Sequence, residues 1–392
     1  MRLAYVTTYD AADRLQWSGL GSAILDSLES QGIDVIPIGP LRQRFSLIGR
    51  AKRRFYGQFL GQRYEFERGA LVGLDYAWQV SARLRTGNFD VVFSPSTIPV
   101  SRLRCPQPIV TWTDATFGAL TELYDLPGHV CRESVRAGHR TERLALRNCA
   151  LSIFASDWAA NSAIRQYSAS PDRVKVIPFG ANFLEAPEYS QAVRRISERD
   201  KATCQLISIG VDWERKGIQR AIDLASVLNT RGLPTRLTVV GCLPSKGAVL
   251  PNFVDVVGFV DKRTPDGERR LSSLLERSHF HVLFSIAECF GVVFAEANAH
   301  AVPNIASDVG GIASAVVNGR GGQRFGSQTP IETVADYVQK SLSEKHAYFE
   351  LALMARNEYD SRLNWKVAGA EVVESIKKLL SFRSARNMTC SR

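Results

Sequence analysis

The stretch FSIAECFGVVFAE, Phe284 to Glu296, decides the fold of this chain, because a strand, a turn and a helix meet in it. It carries two carboxylates, Glu288 and Glu296, on either side of a Phe-Gly turn. An apolar run, His281 to Phe284, precedes the turn and a helix-competent run, Val292 to His300, follows it. The turn therefore reads as the loop at the carboxyl end of a buried strand. In an open α/β sheet that is where ligands bind. Gly291 lets the backbone approach a ligand, and the N–H groups of Val292, Val293 and Phe294 open a helix whose positive end faces an anion. A phosphate held there, with hydroxyls to each side for the two glutamates, has the layout of a sugar joined to a ribose through a diphosphate.

A chain of 392 residues exceeds what one core usually covers, so two domains are expected. The apolar fraction of 45% and charged fraction of 22% are those of a globular protein. No apolar run is long enough for a membrane-spanning helix. MRLAYVTTYD begins a strand pattern at once and lacks a signal peptide's apolar core, which points to a cytoplasmic protein. The seven cysteines are scattered without a C-x-x-C pair, so they read as buried reduced thiols, and no metal site is expected.

The net charge of +10 favours anionic partners. The basic residues concentrate between Arg42 and Arg68, where Phe45, Ile48, Phe55 and Phe59 share one side of a helical pattern while Arg50, Lys52, Arg53 and Arg54 crowd another. This fits a helix lying on an anionic membrane face, and equally an ordinary surface helix with solvated charges. No nucleic-acid recognition motif accompanies the charge, so nucleic acid is not an expected partner.

Strand signals at Leu3 to Thr7, Val35 to Ile38, Val91 to Ser94, Ile109 to Thr113, Leu151 to Phe154 and Val174 to Ile177 alternate with helical patterns. That alternation predicts a parallel, doubly wound sheet. The first strand leads to Gly19 and Gly21, a glycine turn that meets phosphates or simply turns the chain. A second alternation starts at Gln205 to Gly210 and continues through Arg236 to Gly241, Phe253 to Val257, His281 to Phe284 and Asn304 to Ala306. The reading is two Rossmann-like domains with parallel sheets facing across a cleft, residues 1–185 and 204–364. A charged linker is expected at 186–203, a helix over 365–381 packing across the domain junction, and a frayed tail at 382–392.

After the first strand of the second half stands GVDWERKG, Gly210 to Gly217, with Arg215 and Lys216 at the start of a helix. The dipole there disfavours cations unless an anion arrives. Together with VVGC (Val239 to Cys242), VVGFV (Val256 to Val260), ECFGVVFAE and SDVGGI (Ser307 to Ile312), this segment resembles the retaining family 4 glycosyltransferases of GT-B fold. TWTDATFGAL (Thr111 to Leu120) and ASDWAANSAIRQY with VIPFGAN (Ala155 to Asn182) extend the resemblance, more weakly, into the first half.

The resemblance implies sugar transfer from a nucleotide-sugar donor, UDP- or GDP-linked, to a saccharide or lipid-linked acceptor with retention at the anomeric carbon and without a metal. By position, Glu288 would hold donor-sugar hydroxyls and Glu296 the ribose. Arg215 and Lys216 would bind the diphosphate, with backbone amides from Gly291, Val292 and Val293, and Gly258 and Phe259 fall in the nucleobase region. Many relatives carry a histidine where this chain has Asp114, which either orients the acceptor hydroxyl or caps a helix beginning at Ala115. Gly310, Gly311, Ile312, Ala313 and Ser314 stand where relatives often read Gly-Gly-Ile-Pro-Glu. The expected protein is thus a cytoplasmic enzyme of cell-surface polysaccharide or glycolipid synthesis, held on the inner membrane face through Arg42 to Arg68. The alternatives are a nucleotide-sugar epimerase of the same fold and an inactive homologue serving as a scaffold.

Overall fold

In the computed structural model the two alternations form two separate six-stranded sheets, each parallel throughout. The structure describes all residues except 126–128, 184 and 391–392, and of 384–390 the backbone only. The first sheet contains β1 (Arg2–Val6), β2 (Asp34–Ile38), β3 (Val91–Ser94), β4 (Ile109–Thr113), β5 (Leu151–Phe154) and β6 (Val174–Val176), in the order β2-β1-β3-β4-β5-β6. The second contains β7 (Cys204–Ile209), β8 (Thr235–Val240), β9 (Val254–Gly258), β10 (Phe280–Leu283), β11 (Asn304–Ser307) and β12 (Gly322–Phe325), in the order β12-β11-β10-β7-β8-β9.

Strands that are buried on both faces must be apolar along their whole length, which is why the sequence runs here are continuous rather than alternating. All four residues of β10 and all five of β4 are buried. The helices that cover these sheets start where the sequence supplies a cap. The Thr116 hydroxyl accepts from the Ala119 N–H at 3.1 Å, and Ser156 and Thr264 serve the helices Asp157–Tyr167 and Pro265–Glu276 in the same way.

In the second sheet the chain goes outward through β8 and β9, then crosses back to lay β10, β11 and β12 on the other side of β7. Strand order reverses between β7 and β10, whose Leu206 and Phe280 are paired. The carboxyl ends of these two strands, where the order reverses, are the place at which an open α/β sheet takes its ligand.

The chain divides into two compact units, Met1–Pro178 with the residues from Ala368 onward, and Phe179–Val367. The stretch 186–203, read as a linker, is instead largely the helix Tyr189–Glu198. Its Ala192 and Ile196 are buried in the second core while Arg195 pairs outward with Glu198 at 2.8 Å. One turn of spacing between two apolar residues in a charged segment gave an amphipathic helix. The final helix runs Trp365–Cys390, so the backbone over 382–390 is helical rather than frayed, and 391–392 lie outside the described residues. On the first unit, Glu371 and Ser375 of this helix each lie 2.9 Å from the Lys175 ammonium. Among the described residues no helix is long and apolar enough to cross a membrane.

Candidate active site

Arg215 and Lys216 lie in the turn after β7, and the helix proper, Ile218–Thr230, begins after Gly217. Gly217 has φ +63°, and a Cβ placed on it would lie 2.1 Å from the Phe284 carbonyl oxygen at the end of β10. The two loops are therefore pressed together, backbone against backbone. The Ile286 N–H donates to the Arg215 carbonyl at 2.8 Å, and Arg215 Nη1 donates to the Ala287 carbonyl at 3.2 Å. Asp212 steadies the same turn by accepting the Arg215 N–H at 2.9 Å.

The Lys216 stem runs under Gly210, and its ammonium pairs with the Glu288 carboxylate. The side chains of this pair are only 9% and 13% exposed. The Ser285 hydroxyl lies 3.5 Å from the same carboxylate oxygen, and the Glu288 carbonyl accepts the Gly311 N–H at 3.1 Å. The Gly310–Gly311 loop after β11 thus supports Glu288 through its backbone.

Gly291, at φ +85°, caps the helix Val292–Ala299. A side chain there would come within 3.3 Å of Glu288 Cγ and 2.5 Å of the Phe294 ring, so the peptide between the two carboxylates stays bare. Helix geometry leaves the first N–H groups without intrahelical partners. The Phe294 N–H, expected among the free ones, already donates to the Gly291 carbonyl at 3.0 Å, which leaves those of Val292 and Val293.

Glu296 is fully buried. One of its oxygens pairs with Lys262, and the other, Oε2, is buried with no hydrogen-bond partner. Lys262 escaped the sequence reading, since it follows β9 and reaches Glu296 only through the fold. Its one signal was a position in another carboxyl-end loop of the same sheet. Gly258 closes β9, its carbonyl accepting the Gly241 N–H at 2.8 Å, and Phe259 beyond it is 69% exposed.

Behind the helix lies a buried polar relay. His281 Nδ1 is 2.8 Å from Asn304 Oδ1, and the Asn304 amide donates to Asn298 Oδ1 at 2.7 Å and to the Phe294 carbonyl at 3.2 Å. Burial pushes His281 down to about 4, with Lys216 acting in the same direction and Asn304 against it. The imidazole is therefore neutral near pH 7 and adds no charge beneath the site.

Asp114 and Gly19 lie in the first unit. The helix after β4 runs Phe117–Leu123 and its cap is Thr116, so Asp114 is not a helix cap. Asp114 Oδ2 instead accepts from the Trp17 indole at 3.3 Å, bringing the loops after β1 and β4 together. Trp17 and Ser18 hold left-handed φ values of +48° and +54°, at a cost of about 1–2 kcal/mol each, just before Gly19 caps the helix Leu20–Glu29. His139 is bound to the Tyr167 hydroxyl at 2.8 Å and packs edge-on against Phe117, a structural arrangement. None of six described cysteines is in a disulfide, and five of them, Cys289 included, are buried.

The site so assembled in the second unit offers three cations, Arg215, Lys216 and Lys262, with two helix-start amides and two carboxylates around one glycine. It suits an anion flanked by hydroxyl groups. The architecture is GT-B, with two parallel six-stranded α/β units. Solved structures similar to it include sucrose-phosphate synthase from Thermosynechococcus elongatus, with TM-score 0.67 and 15% identity over 97% of this chain and 99% of that one. WaaG, a glycosyltransferase involved in lipopolysaccharide biosynthesis, has TM-score 0.60 and 17% identity over 94% and 98%.

The family model described as Glycosyl transferases group 1 matches residues 203–344, which contain the whole of this site. Among curated proteins, a D-inositol 3-phosphate glycosyltransferase of Paenarthrobacter aurescens (strain TC1) is 25% identical over 229 residues, 57% of this chain and 56% of that protein. One from Streptomyces scabiei (strain 87.22) is 30% identical over 179 residues, 42% and 40% of the two chains. The chain spans about half the length of the first of these relatives.

Proposed function

We propose that this chain is a retaining, metal-independent glycosyltransferase of the hexosyl-transferring kind, moving a sugar from a nucleoside diphosphate to a saccharide or lipid-linked acceptor in cell-surface polysaccharide or glycolipid synthesis. The observation that carries the reading is Glu296. A fully buried carboxylate with an oxygen lacking any partner is costly to keep, and a ribose hydroxyl would satisfy it. The match of residues 203–344 to glycosyl transferases group 1, and the anabaena HepE structure solved with UDP and glucose, at TM-score 0.60 and 15% identity, support a nucleotide-sugar donor.

In this reading Arg215, Lys216 and the amides of Val292 and Val293 neutralise the diphosphate, so fixed cations do the work a metal would otherwise do. Glu288 orients sugar hydroxyls while held by Lys216. Gly258 and Phe259 border the base, and the first unit, which holds Gly19 and Asp114, takes the acceptor, Asp114 orienting the acceptor hydroxyl. The bond from the anomeric carbon to the diphosphate oxygen breaks as the acceptor oxygen bonds the same face. The acceptor's proton passes to the departing diphosphate, which makes a protein nucleophile unnecessary.

The helix Ser46–Leu60 supports docking on the inner face of an anionic membrane. Leu47, Phe55 and Phe59 are 72%, 54% and 73% exposed on it, and it contains four basic residues and no acidic one. The test is incubation with UDP-, GDP- and ADP-sugars in chelator, with and without saccharide and lipid acceptors. Release of nucleoside diphosphate that rises with acceptor is the expected result. Isomerised sugar without release would show an epimerase, and silence with every donor a scaffold.

A further inference from the structure

At the end of β2, on the edge of the first sheet, a hollow of about 320 Å³ is lined by Pro40, Arg42, Arg44, Trp78, Gln79 and Arg83. We infer that it holds the phosphate headgroup of an anionic phospholipid while the first unit rests on the bilayer. The inference builds on the membrane-docking part of the proposed function and adds a defined lipid site to it.

The hollow is a built structure. The Gln79 side-chain oxygen accepts the Arg42 N–H at 2.9 Å, and its amide donates to the Arg42 carbonyl and to Asp75 Oδ2, each at 2.9 Å. The backbone at Arg42 is thereby clamped to the helix Ala70–Thr86. The Arg44 guanidinium lies 4.5 Å from the centre of the Trp78 ring and 3.6 Å from Asp75 Oδ1, so one of the three arginines is partly neutralised. Arg42 and Arg83 have no carboxylate partner among the described residues. Guanidinium groups match phosphate oxygens in a two-pronged geometry.

The surroundings select a lipid over a free anion. Leu71, Leu74 and Trp78 follow helical spacing on one face of the helix Ala70–Thr86, and they are 53%, 55% and 55% exposed. With the exposed apolar residues of Ser46–Leu60 they give two successive helices bare leucines and aromatics among arginines. A soluble phosphate or a nucleic acid would account for the arginines alone, and an apolar protein partner for the leucines alone. A bilayer with anionic headgroups accounts for both, with the Trp78 ring at the level where amphipathic rings settle.

The experiment is cosedimentation of the full chain with vesicles of phosphatidylglycerol in phosphatidylcholine, and of phosphatidylcholine alone. Wild type is compared with Arg42→Gln/Arg83→Gln and with Arg165→Gln/Arg173→Gln, which removes the same charge from exposed positions beside β5 and β6, at the other edge of the first sheet from the hollow. Wild type should bind the phosphatidylglycerol vesicles and not the neutral ones. The hollow double variant should bind about tenfold or more weakly, the control double clearly less affected, and millimolar inorganic phosphate should not release wild type. Equal losses in both doubles would overturn the lipid site and leave docking by bulk charge standing. Release by phosphate would show a site for the free anion instead. Failure of wild type to bind any vesicle would overturn the site and the docking together. Nucleotide binding and circular dichroism, followed in parallel, report on the fold and on the sugar-transfer reading separately.

Discussion

Lys216 performs two tasks with one side chain: its stem fills the space under Gly210, and its ammonium sits on Glu288 at low exposure. In the proposed reaction the same charge meets the departing diphosphate. Lys216→Ala should lower turnover by about 10²–10³-fold, the range seen when a preorganised electrostatic partner is removed, while circular dichroism stays that of wild type. A variant with wild-type kcat would take Lys216 out of the chemistry. Glu288, Glu296, Arg215 and Lys216 were legible in the sequence because each sits a few residues from a strand end or a helix start, where local pattern fixes position. Lys262 was not, since its partnership with Glu296 depends on the β9 loop meeting a helix more than thirty residues further on, which no local pattern encodes. Asp114 was misread as a possible cap because Thr116, two residues later, has the same preference and begins the helix.

The elements that matter most are the two loops leaving β7 and β10, and Gly217 is where they touch. Any Cβ there meets the Phe284 carbonyl and also has to adopt a left-handed φ. Gly217→Ala should therefore destabilise the protein by about 1–2 kcal/mol from the backbone alone, more with the contact, and should weaken nucleotide binding by moving Arg215 and Lys216. Urea midpoints together with nucleotide titration would check this, and unchanged values in both would show that the loops tolerate separation. Eleven of the twelve strands were legible as apolar runs. The exception, β12, reads GQRF, a short, polar edge strand with one neighbour and no full burial to demand apolar residues. The helix Tyr189–Glu198 was hidden for a related reason, since only Ala192 and Ile196 of its ten residues are buried.

Across the second unit as a whole, three histidines are buried without charge. Burial pushes His279 and His281 down to about 4 and His300 to about 3, with Arg199 adding to the effect on His279 and His300. An unfolded chain takes up protons at these residues near pH 6.5, and the folded chain does not until far lower pH. Their contribution is full above pH 6.5 and is lost as the pH falls from 6.5 towards 4, at up to about 1.4 kcal/mol per pH unit for each histidine. Urea midpoints between pH 7.5 and 5 should fall accordingly, and His281→Gln should flatten the slope; a level profile would show that the three rings are hydrated. The overall division into two α/β units was visible from the alternation of strands and helices. The last helix was expected to pack across the domain junction; from Ala368 onward it belongs to the first unit, an assignment that local pattern does not fix.

The account as a whole depends on Glu296 waiting for a ribose. Calorimetric titration of UDP, GDP and ADP into wild type and Glu296→Ala, with chelator present throughout, tests that most directly. The account predicts that one nucleotide binds wild type under these conditions and binds the variant about 10–100-fold more weakly, the worth of one or two hydrogen bonds to a buried carboxylate. Equal affinity for the two proteins, or binding by wild type only when a divalent metal is restored, would contradict it.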